Sequence, residues 1–192
     1  CMSFEWTAHR FSGGLLALDL VNTIVCRNQA SRRADRLADA GAIQVFCEAA
    51  SRFRPEDAAG GLIFNPSGTA ELVELREAVD GWLRPVAEGG QTSAAAVERL
   101  FSAAASCMRS GKSEDGRVTL GSASAISAMK LFGSDMEQKV KSCPNCDWLF
   151  VDRSKNRSRV WCDMRICGNR VKAGNHYRKR RNGAGAAGES PE

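Results

Sequence analysis

Four cysteines in the C-terminal quarter of the chain have the spacing of a metal site. Cys143 and Cys146 enclose Pro-Asn, Cys162 follows after fifteen residues, and Cys167 follows after four more. A two-residue gap brings two thiolates together in a tight turn, and four thiolates can surround one Zn²⁺ tetrahedrally at about 2.3 Å. Four protein sulfurs leave no coordination position for water. The spacing therefore predicts a structural zinc centre, with an iron–sulfur cluster or four unligated thiols as the alternatives.

Positive charge is concentrated around these cysteines. Residues 153–181 contain eleven Lys and Arg and one acid, Asp163, which gives net +10. Residues 1–152 carry net −3 and the last eleven residues −2. A tetrathiolate metal centre is formally negative, and as a local counter-charge it explains about two or three of the cations. The remainder predicts a surface that binds nucleic acid.

A helix starting near Asp163 would carry a polar stripe. At helical spacing, one side of it presents Arg165, Asn169, Lys172, His176 and Lys179. This stripe contains hydrogen-bond donors and cations but no acidic residue, which favours contact with phosphate over a surface that is only solvated. Asn169 or Arg170 is placed to reach base edges. We expect Gly174 to end or bend this helix and to leave a basic arm beyond it. The predicted DNA-binding residues are Arg157, Arg159, Arg165, Asn169, Arg170, Lys172, His176, Arg178, Lys179, Arg180 and Arg181.

The elements that must position these residues follow from hydrophobic periodicity. Apolar residues recur at helical spacing in residues 15–25, 42–52, 69–88, 93–107 and 122–141, and residues 117–120 read as a short strand. Residues 148–161 have apolar β-formers at both ends and a polar middle, which predicts a hairpin between the cysteine pairs. The sequence thus predicts an α+β protein. It has a mostly helical N-terminal domain (1–140), a small treble-clef zinc finger of knuckle, β-hairpin and helix (141–181), and a flexible tail (182–192).

Polar residues interrupt the first apolar segment. Asp19, Asn22 and Thr23 lie between leucines and valines, and Arg76 lies on the apolar side of a later helix. Buried polar groups normally bond to one another, so a structural network is the favoured interpretation and a ligand-binding site the alternative. The pattern allows Arg76 to pair with Asp19 or with a bound anion.

Two parts of the chain resemble known families. The segment C-P-N-C-D-W-L-F-V-D-R-S-K-N-R-S-R-V-W-C-D-M-R-I-C-G-N-R-V-K resembles the CGNR zinc finger, named for Cys167-Gly168-Asn169-Arg170. L-A-L-D-L-V-N-T (residues 16–23) and E-L-R-E-A (residues 74–78) resemble the ABATE domain, which typically precedes that finger. The resemblance implies a transcription regulator whose finger contacts DNA and whose N-terminal domain senses a small-molecule effector. One departure is Val160, where the family usually has a second arginine before the tryptophan.

These observations favour a DNA-binding transcription regulator. A protein or RNA interaction adaptor with the finger as scaffold is the alternative. No Ser/His/Asp set, P-loop or dinucleotide fingerprint occurs, so we expect no enzyme; an enzyme would need a pocket of titratable groups in the N-terminal domain. No segment reaches the eighteen or so apolar residues of a membrane helix and no secretory leader is evident, so we expect a cytoplasmic protein.

Overall fold

A computed structural model describes residues 4–58, 60–110 and 117–185, with side chains as far as residue 178. The chain folds into two compact units, Cys1–Cys162 and Asp163–Glu192. Five α-helices form most of the first unit: α1 (Leu16–Val21), α2 (Ala40–Phe53), α3 (Thr69–Ala87), α4 (Ala94–Ser110) and α5 (Leu120–Phe132). The expected mostly helical N-terminal part is confirmed.

Side-chain caps fix where several helices begin. Asp39 accepts a hydrogen bond from the Ala42 amide at 2.8 Å, and Thr119 accepts one from the Ser122 amide at 3.2 Å. Such caps satisfy N–H groups that have no partner in the first helical turn. Gly133 follows the last residue of α5 and ends the helix there, as a glycine inside the predicted range 122–141 indicates.

Helix α1 lies at the centre of the first unit. All six of its residues are buried, and it packs against α3 and α5, which also contact each other. Helix α4 packs against α3 and α5. Because α1 is buried on every side, its sequence is almost wholly apolar, and its one charged residue needs a partner inside the protein.

The described residues of the first unit also form three short strand pairs. β1 (Ile24–Val25) is antiparallel to β2 (Ala34–Asp35), and β3 (Leu62–Ile63) is parallel to β4 (Val118–Thr119). The strand expected near residue 118 is therefore present, while Val25 belongs to β1 and not to the first helix. β5 (Val140–Ser142) is antiparallel to β6 (Leu149–Val151), with Val140 opposite Val151.

The β5–β6 pair encloses the Cys143–Cys146 knuckle. The sequence predicted a hairpin after the knuckle, within residues 148–161, but β6 pairs backward across the knuckle with β5. Residues 152–163 form turns and bends and contribute no strand in the described structure. The polar run after Val151 is held by side-chain hydrogen bonds, so it needs no strand partner. The order is strand, knuckle, strand, loop and helix; the treble-clef assignment stays a prediction.

The β5–β6 pair also packs into the core of the first unit. Val140, Leu149 and Val151 belong to the same buried apolar cluster as α1, and the Val151 amide donates to the Gly13 carbonyl at 3.0 Å. The division predicted between residues 140 and 141 stays a prediction. In the structure, the knuckle and its strands pack with the helices that precede them.

The described part of the second unit, residues 163–185, forms one helical run. A π-helical turn, Met164–Gly168, continues into α6 (Asn169–Gly185). The helix runs through Gly174, so the expected helix end at this residue is wrong; the alternative of a bend stays a prediction. A glycine in a helix interior costs about 1 kcal/mol relative to alanine, which does not stop a helix that continues on both sides. α6 includes the start of the predicted tail, and residues 186–192 lie outside the described part.

Candidate metal centre and nucleic-acid interface

A tight turn brings the first two cysteines together. The Cys143 amide donates to the Trp148 carbonyl at 2.9 Å, and the Asp147 amide donates to the Cys143 carbonyl at the same distance. Asp147 takes a left-handed backbone conformation with φ of 60°, which an aspartate tolerates better than most residues. Cys143 and Cys146 are both buried. The sequence C-P-N-C-D therefore forms a closed turn with two thiols on its inner side.

The other two cysteines flank an N-capped helical turn. The Asp163 side chain accepts hydrogen bonds from the amides of Arg165 and Ile166, at 2.7 and 3.2 Å. The Cys167 amide donates to the Asp163 carbonyl at 2.9 Å. This cap starts the helix just after Cys162 and fixes Cys167 within its first turns. Cys162 and Cys167 are buried like the first pair.

The four sulfurs form a compact group. The ligand atoms of Cys143, Cys146, Cys162 and Cys167 all lie within 4.8 Å of one another, and the Cys146 and Cys162 sulfurs are 3.6 Å apart. A tetrahedral centre with metal–sulfur bonds of about 2.3 Å places its sulfurs about 3.8 Å apart, so the spacing fits one metal ion. No disulfide joins the described cysteines. The predicted clustering of these four cysteines is confirmed, and the group could hold a metal ion.

Two cysteines outside the group are poor ligands. Cys47 and Cys107 are buried in the apolar core, and burial raises the pKa of each thiol to about 12, with a smaller contribution from a nearby glutamate. A thiol binds metal as the thiolate, which the raised pKa disfavours, and neither Cys47 nor Cys107 belongs to the four-cysteine group.

Residues of the N-terminal region form hydrogen bonds with the Cys143–Cys146 turn. Arg84 of α3 donates to the Asp147 carbonyl at 3.1 Å while its guanidinium also pairs with Asp80 at 2.6 Å. The Asn28 amide donates to the Asp147 carboxylate at 3.1 Å, and the Cys26 amide donates to the Cys146 carbonyl at 2.9 Å. The turn that carries Cys143 and Cys146 is therefore held in place by residues of the N-terminal region.

The predicted DNA-binding residues of the second unit are accessible. Arg165, Asn169, Arg170, Lys172, His176 and Arg178 are all exposed, and the Arg178 guanidinium donates to the Asn175 side chain. The side chains of Lys179, Arg180 and Arg181 lie outside the described residues. Accessibility is what phosphate contact requires, and the DNA-binding role of these residues stays a prediction.

The two predicted contacts in the first unit differ from each other. Arg157 is exposed on the turn after β6. Arg159 is half-buried, because its guanidinium donates to the carbonyls of Trp161, at 2.8 Å, and Cys162, and lies 4.7 Å from the centre of the Phe150 ring. Arg159 thus holds the chain segment that carries Cys162. Its role in DNA binding stays a prediction.

Asp19, one of the predicted ligand-binding residues, is fully buried in an ion pair. Its carboxylate accepts from Arg54 Nε at 2.5 Å and from the Gly13 amide at 2.9 Å. Burial raises the pKa of Asp19 to about 7, although the pair with Arg54 acts in the opposite direction. A side chain on Gly13 would come within 2.8 Å of that carboxylate, so only glycine fits there.

The other three predicted ligand-binding residues also have partners inside the protein. The Asn22 amide bonds to both backbone groups of Leu149 at 2.8 Å. Thr23 Oγ1 donates to the Leu20 carbonyl at 2.7 Å. Arg76 pairs with Asp35 through both terminal nitrogens, at 2.8 and 2.9 Å, and not with Asp19 as the sequence allowed. These contacts form the favoured structural network; a ligand-binding role stays a prediction.

Several partners in this network were not evident from sequence. Arg54 and Asp35 lie in loops or strand ends far from the residues they pair with, and no local pattern marks them. Asp80 and Arg84 have the i,i+4 spacing of a helical ion pair, which is a usable signal. Asp152 precedes a serine by two residues in a polar run, the pattern of an Asx turn, which also marks it as a turn-forming residue.

Two known family models match successive parts of the chain. The CGNR zinc finger model matches residues 139–180. The ABATE model, with the description "Putative stress-induced transcription regulator", matches residues 14–131, more than half of the chain. The chain belongs to the ABATE family. The ABATE match covers α1 to α5 almost completely, and the finger match extends from just before β5 into α6. No curated protein matches the chain.

The helices also bear on the expectation that no segment crosses a membrane. Within the described ranges, no helix is both long enough and apolar enough to do so.

Proposed function

We propose that this ABATE-family protein is a DNA-binding transcription regulator whose CGNR finger holds Zn²⁺. The observation that carries the proposal is the character of α6. From Lys172 to Arg178 its side chains are exposed, and the helix contains cations but no acid. A solvated helix usually mixes both signs of charge, whereas a phosphate-binding helix keeps one sign.

Zinc fits the four-cysteine group on chemical grounds. Buried sulfurs at tetrahedral spacing suit Zn²⁺, and four thiolates complete its coordination. A saturated centre has no position for substrate or water, so the metal would hold Cys162 and Cys167 together with the knuckle and supply no catalysis. We therefore propose a structural metal in a protein that is not an enzyme.

The proposed contacts to DNA are of two kinds, to backbone phosphates and to base edges. Arg and Lys side chains would bind backbone phosphates and supply affinity without sequence preference, while Asn169 and Arg170 would reach base edges. If about five phosphates are contacted, the logarithm of affinity should fall against the logarithm of salt concentration with a slope of roughly −4 to −5.

The test compares two triple variants of the full chain with matched changes in charge. Arg170, Lys172 and Arg178 are replaced by glutamine in the α6 variant. Arg32, Arg33 and Arg52, exposed cations of the first unit, are replaced by glutamine in the control. Binding to a short mixed-sequence DNA duplex is measured by fluorescence anisotropy over a range of salt concentrations.

The α6 variant should bind weakly and with a flatter salt dependence, while the control keeps most of both. A wild-type protein with metal bound and no salt-dependent DNA binding would refute the proposal.

A second candidate function is a protein-interaction adaptor. It is favoured by two exposed apolar side chains of the π-helical turn, Met164 and Ile166, which are 54% and 38% exposed. In that case the Met164→Ser and Ile166→Ser double variant would lose a protein partner, and the α6 variant would keep it. Capture of a partner with the wild type and the double variant, in parallel with the DNA titration, separates the two functions.

A further inference from the structure

A basic groove lies beside the turn that follows β6. Its volume is about 460 Å³, and four of its lining side chains are cations: Lys139, Arg153, Lys155 and Arg157. Met136 is the one apolar side chain among the lining residues described. The groove belongs to the first unit and shares no residue with α6.

Asp152, the acidic residue among those that line the groove, is already paired with a cation. Asp152 is 1% exposed, and its carboxylate accepts hydrogen bonds from the amides of Ser154 and Arg159 at 2.9 and 3.0 Å and from Lys141 Nζ at 2.7 Å. Burial alone would raise the pKa of Asp152, but the bonds from Lys141 and Ser154 lower it well below the usual range. The carboxylate therefore serves the turn and does not offset the cations that line the groove.

The turn is rigidly built. Lys141 donates to the carbonyl of Arg159 at 3.1 Å as well as to Asp152, so it ties together the two ends of the turn. The Arg157 amide donates to the Ser154 carbonyl at 3.1 Å, and Arg157 takes a left-handed conformation with φ of 48°. Cations on a fixed turn lose less conformational freedom on binding than cations on a flexible arm.

The lining cations are available for an anion. In the structure as described, Lys139, Lys155 and Arg157 form no ion pair with a carboxylate, and Lys155 and Arg157 are exposed. Arg153 Nη2 donates to the Gly14 carbonyl at 3.1 Å and to Met136 Sδ at 3.9 Å, which orients the guanidinium and leaves its Nε and Nη1 donors for a ligand. Four cations around one open groove make a site for phosphate groups.

We propose that this groove binds the backbone phosphates of DNA, as a second contact surface in addition to α6. The inference rests on the proposed function and extends it to the first unit. A pocket for a small phosphorylated molecule normally encloses the organic part in apolar side chains, and this groove is open with Met136 alone for that purpose. Its cations would contact phosphate and no base edge, so they add affinity equally for all sequences.

The test replaces three groove cations in the metal-loaded full chain. Lys139→Gln, Lys155→Gln and Arg157→Gln are combined, and Lys141 and Arg153 are left in place because they hold the turn. The control for an equal loss of charge is again the variant in which glutamine replaces Arg32, Arg33 and Arg52. Metal content and thermal midpoint are measured for all three proteins, and DNA binding is titrated with a mixed-sequence duplex over a range of salt.

If each groove cation contacts one phosphate, the salt slope should become shallower by about 0.9 per contact, or about 2.7 for three. The control should keep the wild-type slope. A groove variant that matches the control, in a wild type that binds DNA with a steep slope, overturns this inference and leaves the proposed function standing. A wild type without salt-dependent binding overturns both.

A calorimetric titration with inorganic phosphate at constant ionic strength tests whether the groove binds a small phosphorylated ligand and not the DNA backbone. Saturable phosphate binding that the groove variant loses, together with unchanged DNA binding, would assign the groove to a small phosphorylated ligand and overturn the DNA assignment. Phosphate binding that is absent or weak in both proteins, with the slope reduced in the groove variant, supports it.

Discussion

Replacing Asn22 with alanine tests how the β5–β6 strand pair is attached to the N-terminal helices. The Asn22 side chain donates to the Leu149 carbonyl and accepts from the Leu149 amide, both at 2.8 Å, and Asn22 is 2% exposed. Alanine removes both bonds and leaves one buried donor and one buried acceptor on the edge of β6. Each such group costs about 1 to 3 kcal/mol when it has no partner, so we expect the unfolding free energy to fall by about 2 to 6 kcal/mol.

Chemical denaturation followed by circular dichroism measures this loss in the metal-loaded protein. For a chain of this size, 1 kcal/mol corresponds to about 2 to 4 °C in the thermal midpoint, so a decrease of about 4 to 24 °C is expected. Asn156→Ala is the matched control, because Asn156 is exposed on the turn after β6. Its change should stay within about 0.5 kcal/mol.

Asn22→Asp adds a second check that depends on chemistry and not on size. Aspartate keeps the acceptor for the Leu149 amide but places an oxygen against the Leu149 carbonyl. The buried carboxyl should therefore have a raised pKa, and the variant should be least stable at neutral pH and recover as the pH falls and the group protonates. Asn22→Ala and Asn156→Ala variants of equal stability would refute the reasoning, since β6 would then not depend on this amide.

Two further predictions concern the metal centre and acid stability. Elemental analysis should find one zinc per chain in the wild type and none in Cys162→Ser. Cys107→Ser, which replaces a buried thiol outside the group, should keep the zinc; metal retained in Cys162→Ser would contradict the site. The lowered pKa of Asp152 means that its contribution to stability is present above the ordinary aspartate pKa of about 4 and is lost as the pH falls below it. Asp152→Asn should therefore be less stable than the wild type at neutral pH, with the difference shrinking in acid; a difference that does not change with pH would show that the carboxylate charge contributes nothing.

The sequence by itself determined the metal group, because four thiols at short spacing on one chain segment need only a turn and a helix start to converge. Cys143 and Cys146 enclose two residues, and the caps that start the helices are local as well. Helical periodicity located α2, α3 and α4 to within a few residues, since each buries one face against its neighbours. The sequence also indicated that the cations of α6 are accessible, because a helix of cations with few apolar side chains has little surface to bury.

Only the tertiary structure decided which distant groups meet. β6 pairs with β5 across the knuckle because Val140, Leu149 and Val151 bury their side chains against the helices, and that choice depends on a core that no local pattern describes. The partners of Asp19 and Arg76 depend on where Arg54 and Asp35 arrive in space. The basic groove follows for the same reason: Lys139 joins Lys155 and Arg157 only because the strand pair folds the chain back on itself.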